Sequence, residues 1–169
     1  EIMSNKMKLI KQAEKILPNI DDLIIEEQGE EFLLFSNEVD KDKFPYDSEE
    51  YARHLDYSYN QGLYIGYPMS FIKTIDDLYS ENENAYTYYY IKTNEFDDKS
   101  IVKKPKGRYL VGYIHDSYVN VHRLYKKMID YIEQNNIKII GYSYEEVLLD
   151  LVAVQNMKNY IIKVSIHIE

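Results

Sequence analysis

The sequence predicts an α+β domain: two strand-helix-strand-strand modules in series, with one further helix in front. Three observations predict it. Apolar residues return at helical spacing near the start of the chain and again between Val121 and Ile132. Runs with strand-like alternation flank a helix in each half; the last alternates Tyr160, Ile162, Val164, Ile166 and Ile168 against Ile161, Lys163, Ser165, His167 and Glu169. The order strand, helix, strand, strand also occurs twice, although the halves hardly match residue by residue. Two such modules can pair their sheets about a pseudo-two-fold axis. A cleft between them is a natural ligand site.

Residues 1–17 form the first helix. Ile2, Leu9 and Ile16 are spaced by seven, and so are Met3, Ile10 and Leu17. That stripe suits the end of a dimerisation coiled coil, or an amphipathic helix lying on its own domain. Pro18 and Asn19 end it. Residues 20–169 make the domain, with halves at about 20–94 and 105–169. Strands at 23–27 and 31–39 flank Gln28 and Gly29. The polar stretch 40–46 holds a proline and is a loop. Ser48 caps a helix over 49–56 or slightly beyond. A strand at 62–67, an acidic connection at 74–84, a tyrosine-bearing strand at 86–92 and a charged linker at 95–107 follow.

In the second half, residues 108–114 are a strand. Asp116 or Ser117 caps a long helix to about residue 135. Its apolar stripe is Val121, Leu124, Tyr125, Met128, Ile129 and Ile132. Asn135 and Asn136 make the turn. Strands follow at 137–141, 144–152 and 160–168.

The composition narrows the function. The chain has 169 residues, enough for a real core without staples. It lacks cysteine, which excludes disulfides and cysteine metal sites and is compatible with a cytoplasmic protein. No apolar run reaches membrane-spanning length. A net charge of −9 argues against nucleic acid as a direct partner and favours cations. Nineteen tyrosines against five phenylalanines and no tryptophan suit half-wet cavities, since tyrosine joins an apolar ring to a polar tip. A bias toward AT-rich codons accounts for part of that number but not for the positions.

Glu145 raises the sharpest question. In the strand it shares with Ser143, Val147 and Leu149, alternation puts it on the apolar face, and Tyr144 and Glu146 on the other. A buried carboxylate needs a cation, a hydroxyl or a water, or else a proton of its own. A strand-end position that reaches solvent or a lysine would also satisfy it. The same alternation puts Tyr160 on the apolar face of the next strand. If the two strands pair, both side chains face one cavity.

The run KPKGRYLVGY (residues 104–113), the helix end MIDYIEQNNIKIIG (128–141), the YEE of 144–146 and NYIIKVSIHI (159–168) together resemble the GyrI-like effector-binding domain. The chain is especially similar to the multidrug-binding half of BmrR-type regulators of the MerR family. The likeness covers about residues 105–169, and more loosely YIGYPMSFIKTIDDL (64–78). It implies the paired-module fold, also called an SHS2 pair, around a central pocket. It implies a pocket for aromatic, often cationic compounds, with an acid ringed by tyrosines. The acid falls on Glu145 and a tyrosine of the final strand on Tyr160. Others fall at Val121, with Tyr125 nearby, at or beside Tyr64, and among Tyr86, Tyr88 and Tyr90, with Tyr88 taken as the pocket residue. Tyr144 is placed with them as the neighbour of the acid.

The resemblance further implies an effector-sensing domain of a transcription regulator. It would act as a homodimer and reach DNA through a helix-turn-helix region that this chain lacks. It implies no cofactor and no membrane partner. The alternatives are a stand-alone small-molecule or protein binder, and a GyrI-like hydrolase using Glu145 as general base with a tyrosine acid. Little else carries chemistry. His54, His115, His122 and His167 show no metal-ligand spacing, and there is no phosphate loop, Rossmann fingerprint or GxSxG. The acidic pairs at 21–22, 76–77 and 97–98 are solvated faces or caps.

Overall fold

Alternating strands must pair to satisfy their backbone, and here they do so in an order the linear sequence conceals. The computed structural model describes residues 1–43, 47–149, 156 and 159–169. Its helices are α1 (Ile2–Ile16), α2 (Ser48–Asn60), α3 (Ile75–Leu78) and α4 (His122–Gln134). Its strands are β1 (Ile24–Gln28), β2 (Glu31–Phe35), β3 (Ser70–Lys73), β4 (Tyr88–Thr93), β5 (Ile101–Lys104), β6 (Gly107–His115), β7 (Ile139–Leu149) and β8 (Ile161–Ile168). They form one sheet in the order β1-β6-β8-β7-β3-β4-β2-β5. Every pairing is antiparallel.

The two expected modules are β2-α2-β3-β4 and β6-α4-β7-β8. They abut where β3 pairs with β7, at Phe71 against Glu145, Ile72 against Tyr144 and Lys73 against Ser143. The order runs outward from that seam as β3-β4-β2 on one side and β7-β8-β6 on the other, as a pseudo-two-fold requires.

Several local expectations are corrected. The strands either side of Gln28 and Gly29 do not pair with each other: β1 joins β6, while β2 lies between β4 and β5. The linker at 95–107 contains β5, which completes the edge beside β2. The stretch 62–67 is not a strand, because Gly62 and Gly66 take φ of 68° and 106° and break the extended run. A side chain on Gly66 would meet the Ile2 carbonyl oxygen at 2.6 Å, so glycine also lets α1 cross there. Helix α2 is capped by Asp47, whose carboxylate accepts from the Glu50 N–H at 3.3 Å, and Ser48 is its first residue. The acidic connection holds α3, closed by a reciprocal capping box between Thr74 and Asp77. Ser117 caps a short 3₁₀ turn at Tyr118–Asn120, and α4 starts only at His122. The two strands expected at 137–141 and 144–152 are one, β7, with an irregularity between Ile139 and Ser143. Residues 150–152 of that expectation, and Asp150 with them, lie outside the described residues.

The outer face of the sheet carries α2 and α4. Leu124, Met128 and Ile132 of α4 pack on Leu110, Val164 and Ile166. Tyr51 and Leu55 of α2 pack on Tyr89 and Ile91. The inner face curls on itself: Gln28 on one edge strand reaches Lys104 on the other at 2.5 Å. Leu9 and Ala13 of α1 cover one part of that face, against Leu148 and Ile161.

His54 of α2 is 1% exposed, with Nε2 at 3.0 Å from the Leu34 carbonyl oxygen. Burial lowers its pKa to about 4, so it is neutral at physiological pH. Unfolding restores the ordinary value near 6.5, and the unfolded chain therefore binds more protons between the two values. Stability contributed by neutral His54 is thus lost as the pH falls from 6.5 through 4. Urea denaturation across that window should show a slope of up to one proton, ~1.4 kcal/mol per pH unit, from this residue. His54→Leu should remove that component of the slope.

Candidate functional site

Glu145 lies on the seam strand β7 and is 1% exposed. Its carboxylate accepts from two tyrosine hydroxyls, Tyr86 at 2.7 Å and Tyr125 at 3.0 Å. The apolar stripe of α4 aims Tyr125 at the sheet, and Ser143 Oγ lies 3.4 Å from its hydroxyl. Tyr86 comes from the segment before β4. The third partner is Lys73. It sits diagonally across the β3–β7 register from Glu145 on the same face, within reach of a long side chain.

Lys73 is 3% exposed. Its ammonium lies over the ring of Tyr86 at 4.1 Å and faces that of Tyr125 at 5.2 Å. It also donates to the carbonyl oxygens of Glu83 at 2.9 Å and Ala85 at 2.6 Å. Cation–π attraction of ~0.5–2 kcal/mol per ring adds to the attraction of Glu145. Burial nonetheless wins for Lys73 and lowers its pKa to about 8, against the pull of Glu145 and Asp77. Burial likewise raises the pKa of Glu145, opposed by Tyr86, Lys73 and Tyr125. Burial beside that carboxylate holds both tyrosine hydroxyls well above their usual range.

A cleft of about 230 Å³ between α3 and α4 opens onto this cluster. Lys73 and Tyr125 contribute to its lining, and Asp77, Glu83, His122 and Asp130 to its polar remainder. Asp77 is already engaged, accepting from Lys41 at 2.5 Å and from the Thr87 hydroxyl at 2.5 Å.

The expected site residues divide between the two faces. Val121, Tyr125 and Tyr160 share the α4 cluster, on the same face as Glu145. Tyr144 is on the opposite face, 4% exposed and packed edge-on to Tyr90 and Tyr109. Tyr88 is also on that face, against Phe35 and Tyr142. Tyr64 packs against Tyr59, with ring centroids 4.5 Å apart, in the cluster beneath α2. Glu145 is therefore not ringed by Tyr64, Tyr88 and Tyr144, and Tyr86 rather than Tyr88 supplies its near hydroxyl. Lys73 is the residue sequence reasoning missed. Its signal was present: in SFIK, alternation puts Lys73 on the face of Phe71, opposite Ile72.

Glu146 lies on the face opposite Glu145, as alternation requires, but that face is buried too: Glu146 is 7% exposed and meets a lysine. Lys92 lies 2.7 Å from Glu146 and 2.8 Å from Glu31. Lys104 reaches Glu31 at 2.9 Å and sits over Tyr109 and Tyr144 at 4.7 and 5.2 Å. Burial alone would raise the pKa of Glu31, but the two lysines bring it down to about 2. Among the described residues, no three His, Cys, Asp or Glu gather to hold a metal ion. No described helix is long and apolar enough to cross a membrane.

Fold and seam define the class: this is the GyrI-like fold of paired modules. The chain is 30% identical over 105 residues to the multidrug-efflux transporter 2 regulator of Bacillus subtilis (strain 168), a match covering 62% of this chain and 38% of that regulator. It superimposes on EcmrR from a complex with DNA at TM-score 0.65 and 13% identity, over 99% of this chain and 65% of that one. The isolated EcmrR C-terminal domain matches at TM-score 0.64 and 11% identity, over 88% and 97% of the two chains. Two further solved structures share the fold. A hydrolase encoded by lin2189 from Listeria innocua matches at TM-score 0.60 and 11% identity, over 95% and 98%. SAV2435 bound to tetraphenylphosphonium matches at 0.53 and 11%, over 88% and 94%. No family model matches the chain. The match spans well under half of the bacillar regulator's length and the chain about two thirds of EcmrR's.

Removing the carboxylate should destabilise the seam, because two hydroxyls lose their acceptor together. Glu145→Ala is expected to cost about 2–6 kcal/mol in urea denaturation, about 1–3 kcal/mol for each buried hydroxyl left without its acceptor. Tyr125→Phe, which deletes one donor to a charged acceptor, should cost about 1.5–3 kcal/mol.

Proposed function

We propose that this chain is the effector-sensing domain of a MerR-type transcription regulator, and that the box of Tyr86, Tyr125 and Glu145 receives the cationic part of an aromatic small molecule. The observation that carries the reading is the buried carboxylate at the module seam, flanked by tyrosine faces that already hold a positive charge. A box that stabilises an ammonium has the chemistry to stabilise an organic cation. The cleft between α3 and α4 is the way in. The similarity to a multidrug-efflux regulator, and a tetraphenylphosphonium-bound relative in fold, support the same ligand class.

In the full-length regulator, a separate DNA-binding region reads the operator and α1 continues into the dimer contact. Met3 and Met7 support that role, standing 72% and 48% exposed while Leu9 and Ala13 face the domain. Sensing requires that the ligand bind one arrangement of the dimer better than the other. The hydrolase alternative makes a different demand, turnover in place of stoichiometric binding, and the same titration separates them.

The test is calorimetric titration with tetraphenylphosphonium, beside Glu145→Gln. Saturable one-to-one binding without turnover, weakened at least tenfold by the substitution, or about 1.4 kcal/mol, is expected. Binding indifferent to Glu145 would sink the assignment of the box and leave the fold untouched.

A further inference from the structure

Lysine is a costly residue at position 73, which is 3% exposed. It stands in the short strand SFIK, on the face that elsewhere packs Phe71 and Tyr89 against the outer helices. An apolar residue there would avoid the desolvation cost. Instead the chain lays an ammonium over the rings of Tyr86 and Tyr125, in the field of Glu145 but not ion-paired with it; these are the groups that would receive a cation from outside. Its two other contacts are backbone carbonyls, those of Glu83 and Ala85, in the connection to β4. Its side chain also lines the floor of the cleft between α3 and α4. The box is thus occupied from within and approached from without.

We propose that Lys73 is a tethered stand-in for the effector's cation: an organic cation enters the tyrosine box only by displacing the Lys73 ammonium, and Lys73 thereby sets the affinity of the site. The proposal rests on the reading above that the box receives the effector. A tethered competitor acts as if present at a high fixed concentration. The apparent affinity falls by the fraction of molecules in which the box is vacant. The displaced ammonium has carboxylates to move toward, since Glu83 and Asp130 line the same cleft.

The competition also depends on pH. The groups facing Lys73 are Glu145 on β7, Asp77 on α3, Tyr125 on α4, Tyr86 and Glu83 from the connection to β4, and Lys41 from the loop after β2. His122, Lys126 and Asp130 of α4 line the cleft beyond. As Lys73 loses its proton, a permanent cation meets less resistance, so affinity rises with pH.

The experiment titrates tetraphenylphosphonium, whose charge is permanent, into the wild type, Lys73→Met and Glu145→Gln at pH values from 7 to 9. The profile is repeated in His122→Gln to remove the imidazole of the cleft. The expected result is at least tenfold tighter binding by Lys73→Met at pH 7. Wild-type and His122→Gln affinities should rise with pH, while that of Lys73→Met stays level. Wild-type binding that needs Glu145 but is neither tightened by Lys73→Met nor raised by pH overturns the displacement and leaves the site standing. No binding by either the wild type or Lys73→Met overturns the underlying site, and the displacement with it. Should Lys73→Met fail to fold, the wild-type profile decides alone, and a level one overturns the proposal.

Discussion

The arrangement around the module seam depends on one costly choice, a carboxylate placed where water does not reach. Glu145 sits in the middle of the strand that joins the halves. A bare carboxylate there would cost several kcal/mol or take up a proton. The surrounding elements supply what prevents it. Helix α4 delivers the hydroxyl of Tyr125, the segment before β4 delivers that of Tyr86, and β3 delivers the ammonium of Lys73. Each comes from a different part of the chain, so the cluster ties together both modules and the helix above them. The capping box of α3 and the contacts of Asp77 with Lys41 and Thr87 brace the wall beside it.

The inner face meets the same problem with the same residue types. Glu146 points the other way along β7 and finds Lys92, which shares Glu31 with Lys104. Two adjacent carboxylates thus go to opposite faces: Glu146 pairs with a lysine, while Glu145 takes two tyrosine hydroxyls and only feels the charge of Lys73. The two also differ in access. The outer cluster lies beneath a cleft. The inner network spans the curl of the sheet, with Lys104 tying β5 to Gln28 on the far edge strand. A network that holds two sheet edges together serves closure, whereas a lysine at the floor of a cleft can be exchanged for something else.

Much of this was legible from alternation alone. Period two placed Glu145 and Glu146 on opposite faces; it was the resemblance that brought Val121, with Tyr125 nearby, toward the acid, and Tyr125 does reach it. Alternation failed where the chain leaves the strand. Tyr86, Tyr88 and Tyr90 read as one face, but β4 starts at Tyr88, and Tyr86 turns to the other side of the sheet. The glycines at 62 and 66 ended a strand that the apolar content of 62–67 suggested, because backbone dihedrals outrank composition. Strands β1 and β5 exchanged neighbours in a way no local pattern encodes, since a strand of five residues or fewer carries little information about its partner. Tyr64 and Tyr144 were grouped with the acid by resemblance and by adjacency, and neither criterion fixes a direction.

An acid buried among tyrosines is not by itself a vacancy awaiting a cation. In this chain the tyrosine rings of the box already face the Lys73 ammonium, so on the proposed displacement the gain on binding would be the difference between two occupants. That changes what selectivity means at the site. On that proposal a ligand would have to exceed a lysine that also satisfies two carbonyls, which would favour large aromatic cations able to cover both tyrosine faces over small ammonium ions that merely repeat the lysine's contacts. The exchange would also be felt beyond the box. Lys73 leaves from β3, and Glu145 is three residues along β7 from Leu148, on which Leu9 and Ala13 of α1 pack. At about 3.3 Å per residue that is ~10 Å of continuous strand. A change in how β3 and β7 share their charges would therefore have a short route to α1, through the irregularity of β7 between Val147 and Leu149.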